Sequence, residues 1–216
     1  MAQGRQQAWI LPISAVMLAA LVIAVPANLR PGAFELNEGH PGLDFDLAVT
    51  HILLAAVAIV TVCVSAWSWP RVRYPAVHRW TGRVYVATAL PSALLTLPLV
   101  LLNNKWAGDV GALATGGWWF VTTLVGYVAM RRGDQSRHRR WMLYSFAMAT
   151  SFVWGLVLGP LFAQPALFPY LSELIRWVGP LVNLGAAKWY LDRTAPRGMV
   201  IPLPTVRTEQ ADRRAA

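Results

Sequence analysis

Apolar residues in this chain come in long runs rather than in alternation. Six runs can be read, at residues 8–27, 47–69, 84–102, 112–130, 141–163 and 170–191, with short polar stretches between them. Each is long enough to cross about 30 Å of hydrocarbon as a helix. Inside lipid the backbone must satisfy its own hydrogen bonds, so helices are the expected form. The expected fold class is all-α, a polytopic transmembrane bundle of six spans over residues 1–193. The tail, residues 194–216, is rich in Pro, Arg and small polar residues and is expected to be a flexible cytoplasmic segment.

Polar and small residues recur on one side of several runs, as they do on the bundle-facing sides of membrane helices. The second run places His51, Leu54, Ala58, Thr61, Ser65 and Ser68 at steps of three and four. The third does the same with Thr81, Tyr85, Thr88, Ser92 and Thr96, and its Pro91 and Pro98 predict a bend. The sixth aligns Glu173, Arg176, Pro180, Asn183 and Ala187, and Gly155 and Gly159 in the fifth form a GxxxG close-packing signal. The first run, with Arg5 before it and Val25-Pro26-Ala27 at its end, has features of a cleaved signal peptide. Its apolar stretch is long for a signal core, and a retained helix is the expectation.

Composition agrees with a membrane protein. Of 216 residues 56% are hydrophobic and 13% charged, against about a quarter charged in soluble domains. The formal net charge of +9 does not point to nucleic acid, because the basic residues cluster between apolar runs. They read as the positive-inside bias plus contacts to anionic lipid headgroups. Arg71, Arg73, Arg79 and Arg83 fill the second loop, Arg131, Arg132, Arg137, Arg139 and Arg140 the fourth, and five arginines follow Leu191. The first loop holds Arg30 with four acids, the third only Lys105, and the fifth no basic residue. This alternation predicts a bacterial cytoplasmic-membrane protein with both termini inside. Tryptophans near the run ends, among them Trp9, Trp67, Trp80, Trp106, Trp141 and Trp189, suit an interfacial belt. Cys63, the only cysteine, excludes an internal disulfide or a cysteine metal cluster.

The two basic loops carry related segments, HRWTGRVYV at 78–86 and HRRWM at 138–142. The hairpins of runs two–three and four–five thus look like a weak internal repeat. On these segments the chain resembles a bacterial family known as predicted membrane proteins with a domain of unknown function. The likeness runs from about residue 51 to about residue 189 and includes Asn183-Leu184 near the end. It implies a multi-span inner-membrane protein and no assigned activity or cofactor. The family pattern has arginine where Tyr144 stands and an acid where Lys188 stands, so this chain departs from any shared polar site at both positions.

Two groups of residues are candidates for a site. His51, Glu173, Arg176 and Asn183 suit a small polar pocket toward the outer surface, with Glu173 and Arg176 three apart and able to pair within one helix. His78, Arg79, Arg83, His138, Arg139 and Arg140 suit an anion site at the cytoplasmic mouth. The anion would be a lipid phosphate or the propionates of a haem b held by His78 and His138. His51 has no second histidine at its depth, since His40 falls in the outer loop. No zinc spacing, nucleophile elbow, phosphate loop or GxGxxG occurs, so no catalytic or metal residue is assigned. Two functions stand side by side: a non-catalytic membrane protein with a polar or lipid-headgroup pocket, and a b-haem electron carrier.

Overall fold

The computed structural model describes residues 9–29, 41–67, 72–103, 109–158 and 168–194, and among these the regular structure is helical throughout. The elements are α1 Ile10–Asn28, α2 Pro41–Ala66, α3 Pro75–Asn103, α4 Asp109–Arg131, α5 Gln135–Ala149, α6 Phe152–Leu158 and α7 Phe168–Thr194. Arg30, Glu35, Glu38 and His40 of the first loop, Ser68, Trp69, Arg71, Lys105, Trp106, Gly159 and the tail from residue 195 lie outside the described residues.

Among the described residues four helices are long and apolar enough to cross a membrane: Ile10–Ala27, Phe45–Ala66, Pro75–Leu102 and Val110–Arg131. The fifth apolar run is not one helix. It is interrupted at Thr150 and Ser151, leaving α5 and α6 as separate shorter pieces. At the break Thr150 Oγ1 donates to the Ala147 carbonyl at 2.6 Å, and Ser151 N bonds the Met148 carbonyl at 3.0 Å, a tighter turn than the α-helix makes. The sixth run lies on α7, which is as long as the others but carries Glu173, Arg176, Lys188, Asp192 and Arg193.

The third run also differs from expectation. It was expected to begin at residue 84, whereas α3 starts at Pro75, whose missing N–H suits the first helical position. Hydropathy sees only the apolar part, so a helix whose first turns are polar looks like a loop. The HRWTGRV segment is therefore helical.

α2 through α5 form an up-and-down ring in which sequence neighbours pack, α2 on α3 most extensively, then α4 on α5 and α3 on α4, with a thinner α2–α5 contact closing it. The α4–α5 turn is tight. Gly133 takes φ 76°, and Gly133 N and Asp134 N close on the Met130 and Ala129 carbonyls at 3.1 and 3.0 Å. Asp134 Oδ1 then caps α5 by accepting from Arg137 N at 2.8 Å. α1 lies against α2 and α6, with Trp9 edge-on to Tyr190 at 4.9 Å and to Phe146 at 6.5 Å, and α7 covers α4, α5 and α6.

Close approach comes from glycines that the motif search did not single out. A Cβ at Gly116 would fall 2.8 Å from Thr96 Oγ1, bringing α3 against α4, and one at Gly126 would fall 2.7 Å from Met142 Sδ, bringing α4 against α5. Gly155, half of the predicted GxxxG, faces open space. The core where the ring and α1 meet is Met17, Ala58, Ile59, Val62, Cys63, Tyr85, Ala89, Trp119, Phe146 and Met148.

Candidate functional site

Three histidines are placed by the same device. His51 Nδ1 lies 2.8 Å from the Ser92 carbonyl, His78 Nδ1 3.2 Å from the Ser65 carbonyl and His138 Nδ1 2.9 Å from the Gly126 carbonyl. A main-chain carbonyl only accepts, so each Nδ1 carries the proton, and in the neutral ring Nε2 presents a lone pair. His78 and His138 each tie the start of one helix to the end of the helix before it, α3 to α2 and α5 to α4. The resemblance between the two hairpins is thus physical as well as sequential. Ser65 Oγ and Thr81 Oγ1, 2.6 Å apart, reinforce the first tie, and Ser92 Oγ donates to the His51 carbonyl at 3.2 Å. The polar faces read on the second and third runs therefore meet each other.

Between these ends lies a fully buried hydroxyl cluster. Tyr85 OH and Ser145 Oγ are 2.5 Å apart, Ser145 Oγ and Thr123 Oγ1 2.6 Å apart, and Trp119 Nε1 donates to Tyr85 OH at 2.9 Å. Thr123 Oγ1 donates to the Trp119 carbonyl at 2.7 Å, so it accepts from the Ser145 hydroxyl, and Ser145 in turn accepts from Tyr85 OH. Tyr85, Thr123 and Ser145 are each 0% exposed, so this network has no water to fall back on. It joins α3, α4 and α5 at the centre of the ring. Tyr85 stands seven residues after His78, and Ser145 seven after His138. Their contact therefore puts both histidines at matching distance, about 10 Å along their helices, on the same end of the bundle. Sequence reading found Tyr85 but missed Trp119, Thr123 and Ser145. The available signal was this equal spacing within the two related segments.

The outer candidates are held by different neighbours. Glu173 Oε1 accepts from Gly111 N at 2.8 Å, at the start of α4, and from Trp177 Nε1 at 2.6 Å, while its Oε2 is buried without a partner. The Arg176 side chain is exposed, and its carbonyl accepts from Thr115 Oγ1 at 3.2 Å. His51 is engaged with α3, and no hydrogen bond joins it to Glu173. Asn183 holds the helix break. Its Nδ2 donates to the Ala147 carbonyl at 3.1 Å and to Thr150 Oγ1 at 2.8 Å, and its Oδ1 accepts from Trp154 Nε1 at 3.1 Å. Lys188 Nζ pairs with Asp192 Oδ2 at 2.6 Å, one turn further along α7.

At the histidine end Arg79, Arg83, Arg139 and Arg140 are exposed. The Arg83 guanidinium lies 5.1 Å from the centre of the Trp80 ring, and Arg131 Nη1 donates to Tyr127 OH at 3.2 Å. Asp134, in the α4–α5 turn, is engaged as a helix cap. Among the described residues no carboxylate pairs with these arginines, and no group of three or more His, Cys, Asp or Glu is placed to hold a metal ion.

A family model described as "Predicted membrane protein (DUF2306)" matches residues 48–191, two-thirds of the chain and nearly the stretch over which the likeness was read. No curated protein and no solved structure matches the chain significantly.

Proposed function

The chain belongs to this DUF2306 family of predicted membrane proteins, and from that premise we propose that it is a non-catalytic, multi-pass protein of the bacterial cytoplasmic membrane whose basic end binds anionic lipid headgroups. The observation that carries the reading is the set of exposed arginines at one end of the bundle, without carboxylate partners among the described residues. Each arginine near an anionic surface contributes on the order of 1 kcal/mol. Purified protein should retain phosphatidylglycerol in preference to phosphatidylcholine, and the preference should fall as salt is raised. Replacing Arg79, Arg83, Arg139 and Arg140 together by Gln should abolish it. Equal retention of the two lipids by the unaltered protein refutes the reading.

The proposed topology is six crossings with both termini cytoplasmic, α5 and α6 together completing one crossing and α7 another. It is supported by Trp9 at the start of α1 meeting Tyr190 near the end of α7, which sets the first and last helices side by side with these two ends together. Reporter fusions at Asn37, Asn104 and Gln164 should read as periplasmic, and fusions at Pro75 and Gln135 as cytoplasmic. A cytoplasmic signal at Asn104 overturns it.

One observation favours a second reading, a b-type haem between His78 and His138. The Nδ1–carbonyl bond is the outer contact that metal-bound histidines commonly make, because it fixes the ring and leaves Nε2 as ligand. Here it recurs on two rings at matching depth. A Soret band in the visible spectrum, lost on replacing either histidine by Ala, is the expected result of this reading, and its absence from protein purified with haem supplied ends it.

A further inference from the structure

On the outside of the ring, between α3 and α4, runs an open groove of about 400 Å³ lined by Arg83, Val86, Ala87, Leu90, Pro91 and Tyr127. The five α3 residues stand at steps of three and four from Arg83, so they form one face of the helix, about 12 Å long. Beyond Arg83 this wall is apolar, and it is open because Ala87 is small and Pro91 follows one turn later. The volume falls within the range of small-molecule sites.

The two ends differ in kind. At the histidine end, the Arg83 guanidinium is set against the Trp80 ring. Across the groove Tyr127 OH accepts from Arg131 Nη1, so its own hydrogen remains to be donated, and it has no acceptor among the described residues. Two guanidinium groups and a phenol thus present donors at this end, and no carboxylate of the described residues lies among them. The occupant that satisfies such donors is an anion. The occupant that covers the rest of the wall is a hydrocarbon chain.

We propose that this groove is a site for a single anionic phospholipid, its phosphate held by Arg83 and Tyr127 with Arg131 behind, and one acyl chain lying along Val86, Ala87, Leu90 and Pro91. The inference rests on the headgroup-binding reading above and narrows it from a charged face to one built site. Phosphatidylcholine fits less well, because its quaternary ammonium would sit against the same arginines.

The test is native mass spectrometry of the delipidated full-length protein, titrated with phosphatidylglycerol or with phosphatidylcholine. The expected result is a first phosphatidylglycerol bound more tightly than the rest. Arg83→Gln should weaken it about fivefold, the effect of one arginine at an anionic headgroup. Ala87→Phe should weaken it at least as much by filling the groove. Ala87 is exposed, so this change leaves helix packing intact, and Ala87→Leu serves in its place if the larger residue impairs insertion. Arg139→Gln with Arg140→Gln should leave the first lipid in place. Loss of that lipid in the Arg139/Arg140 variant and not in the Ala87 variants overturns the groove while the headgroup reading stands. No preference for phosphatidylglycerol in the unaltered protein overturns both. Displacement of the lipid by inorganic phosphate alone, with no effect of Ala87→Phe, assigns a simple phosphate contact and also overturns the proposal.

Discussion

Tyr85→Ala is expected to destabilise the protein more than any other single substitution in the ring. Tyr85 is wholly buried, and its hydroxyl meets Ser145 and Trp119 from two other helices. Truncation opens a cavity where α3, α4 and α5 meet, leaves the Trp119 N–H without its acceptor and leaves Ser145 bonded to Thr123 alone. Large-to-small changes of aromatic core residues cost about 3–5 kcal/mol. Tyr85→Phe separates the two causes. It keeps the ring and removes the hydroxyl, so its cost should be the roughly 1–3 kcal/mol of stranded buried polar groups. Thermal unfolding in detergent, followed by near-ultraviolet circular dichroism, reads both, at roughly 2–4 °C per kcal/mol for a chain of this size. A Tyr85→Phe protein that melts with the unaltered protein would show that the hydroxyl network contributes nothing. Ser145→Ala in the Tyr85→Phe background should cost less than it does alone, since the two groups serve one contact.

The second large effect is expected at Asn183. Its amide satisfies the Ala147 carbonyl and Thr150 Oγ1 at the break between α5 and α6, and accepts from Trp154. Asn183→Leu matches the volume and supplies none of these bonds. It should cost about 2–3 kcal/mol, because the Trp154 N–H loses its acceptor and the Ala147 carbonyl keeps only hydroxyl donors, at a depth with no water to turn to. Asn183→Asp keeps the acceptor for Trp154 but brings a charge against the Ala147 carbonyl, and should be no better than Leu. Hydrogen exchange should accelerate at residues 147–154 in both variants while α3 stays protected. Uniform acceleration across the bundle would refute a local role.

The ends of the fold and its interior differ in how far they could be read beforehand. Apolar runs reported the helices of α1 through α4 because burial in lipid selects for length and hydropathy, quantities that are local in the chain. The same measure placed the start of α3 nine residues late, since the turn bearing His78 and Arg79 is held by Pro75 and by its bond to Ser65, not by hydropathy. It ran through the break at Thr150 without notice, because two hydroxyl residues in an apolar run change the mean very little, while the break is held by Asn183 from another helix. The bonds of the Glu173 carboxylate to Gly111 N and Trp177 Nε1 were not legible either, since the first depends on where α4 begins beside α7.

By itself, then, the sequence determined that this is a helical membrane protein of the family it resembles, with basic segments gathered on alternate loops and polar stripes on α2 and α3. These follow from periodicity, charge and run length, which need no knowledge of neighbours. Only the tertiary structure decided what each stripe meets: His51 with Ser92, His78 with Ser65, Tyr85 with Ser145 and Trp119, Asn183 with the α5–α6 break. The reason is that a buried hydrogen bond is a property of two helices and their relative depth. A hydroxyl on one helix is equally compatible with several partners until packing at Gly116 and Gly126 sets the distances and rotations between α3, α4 and α5.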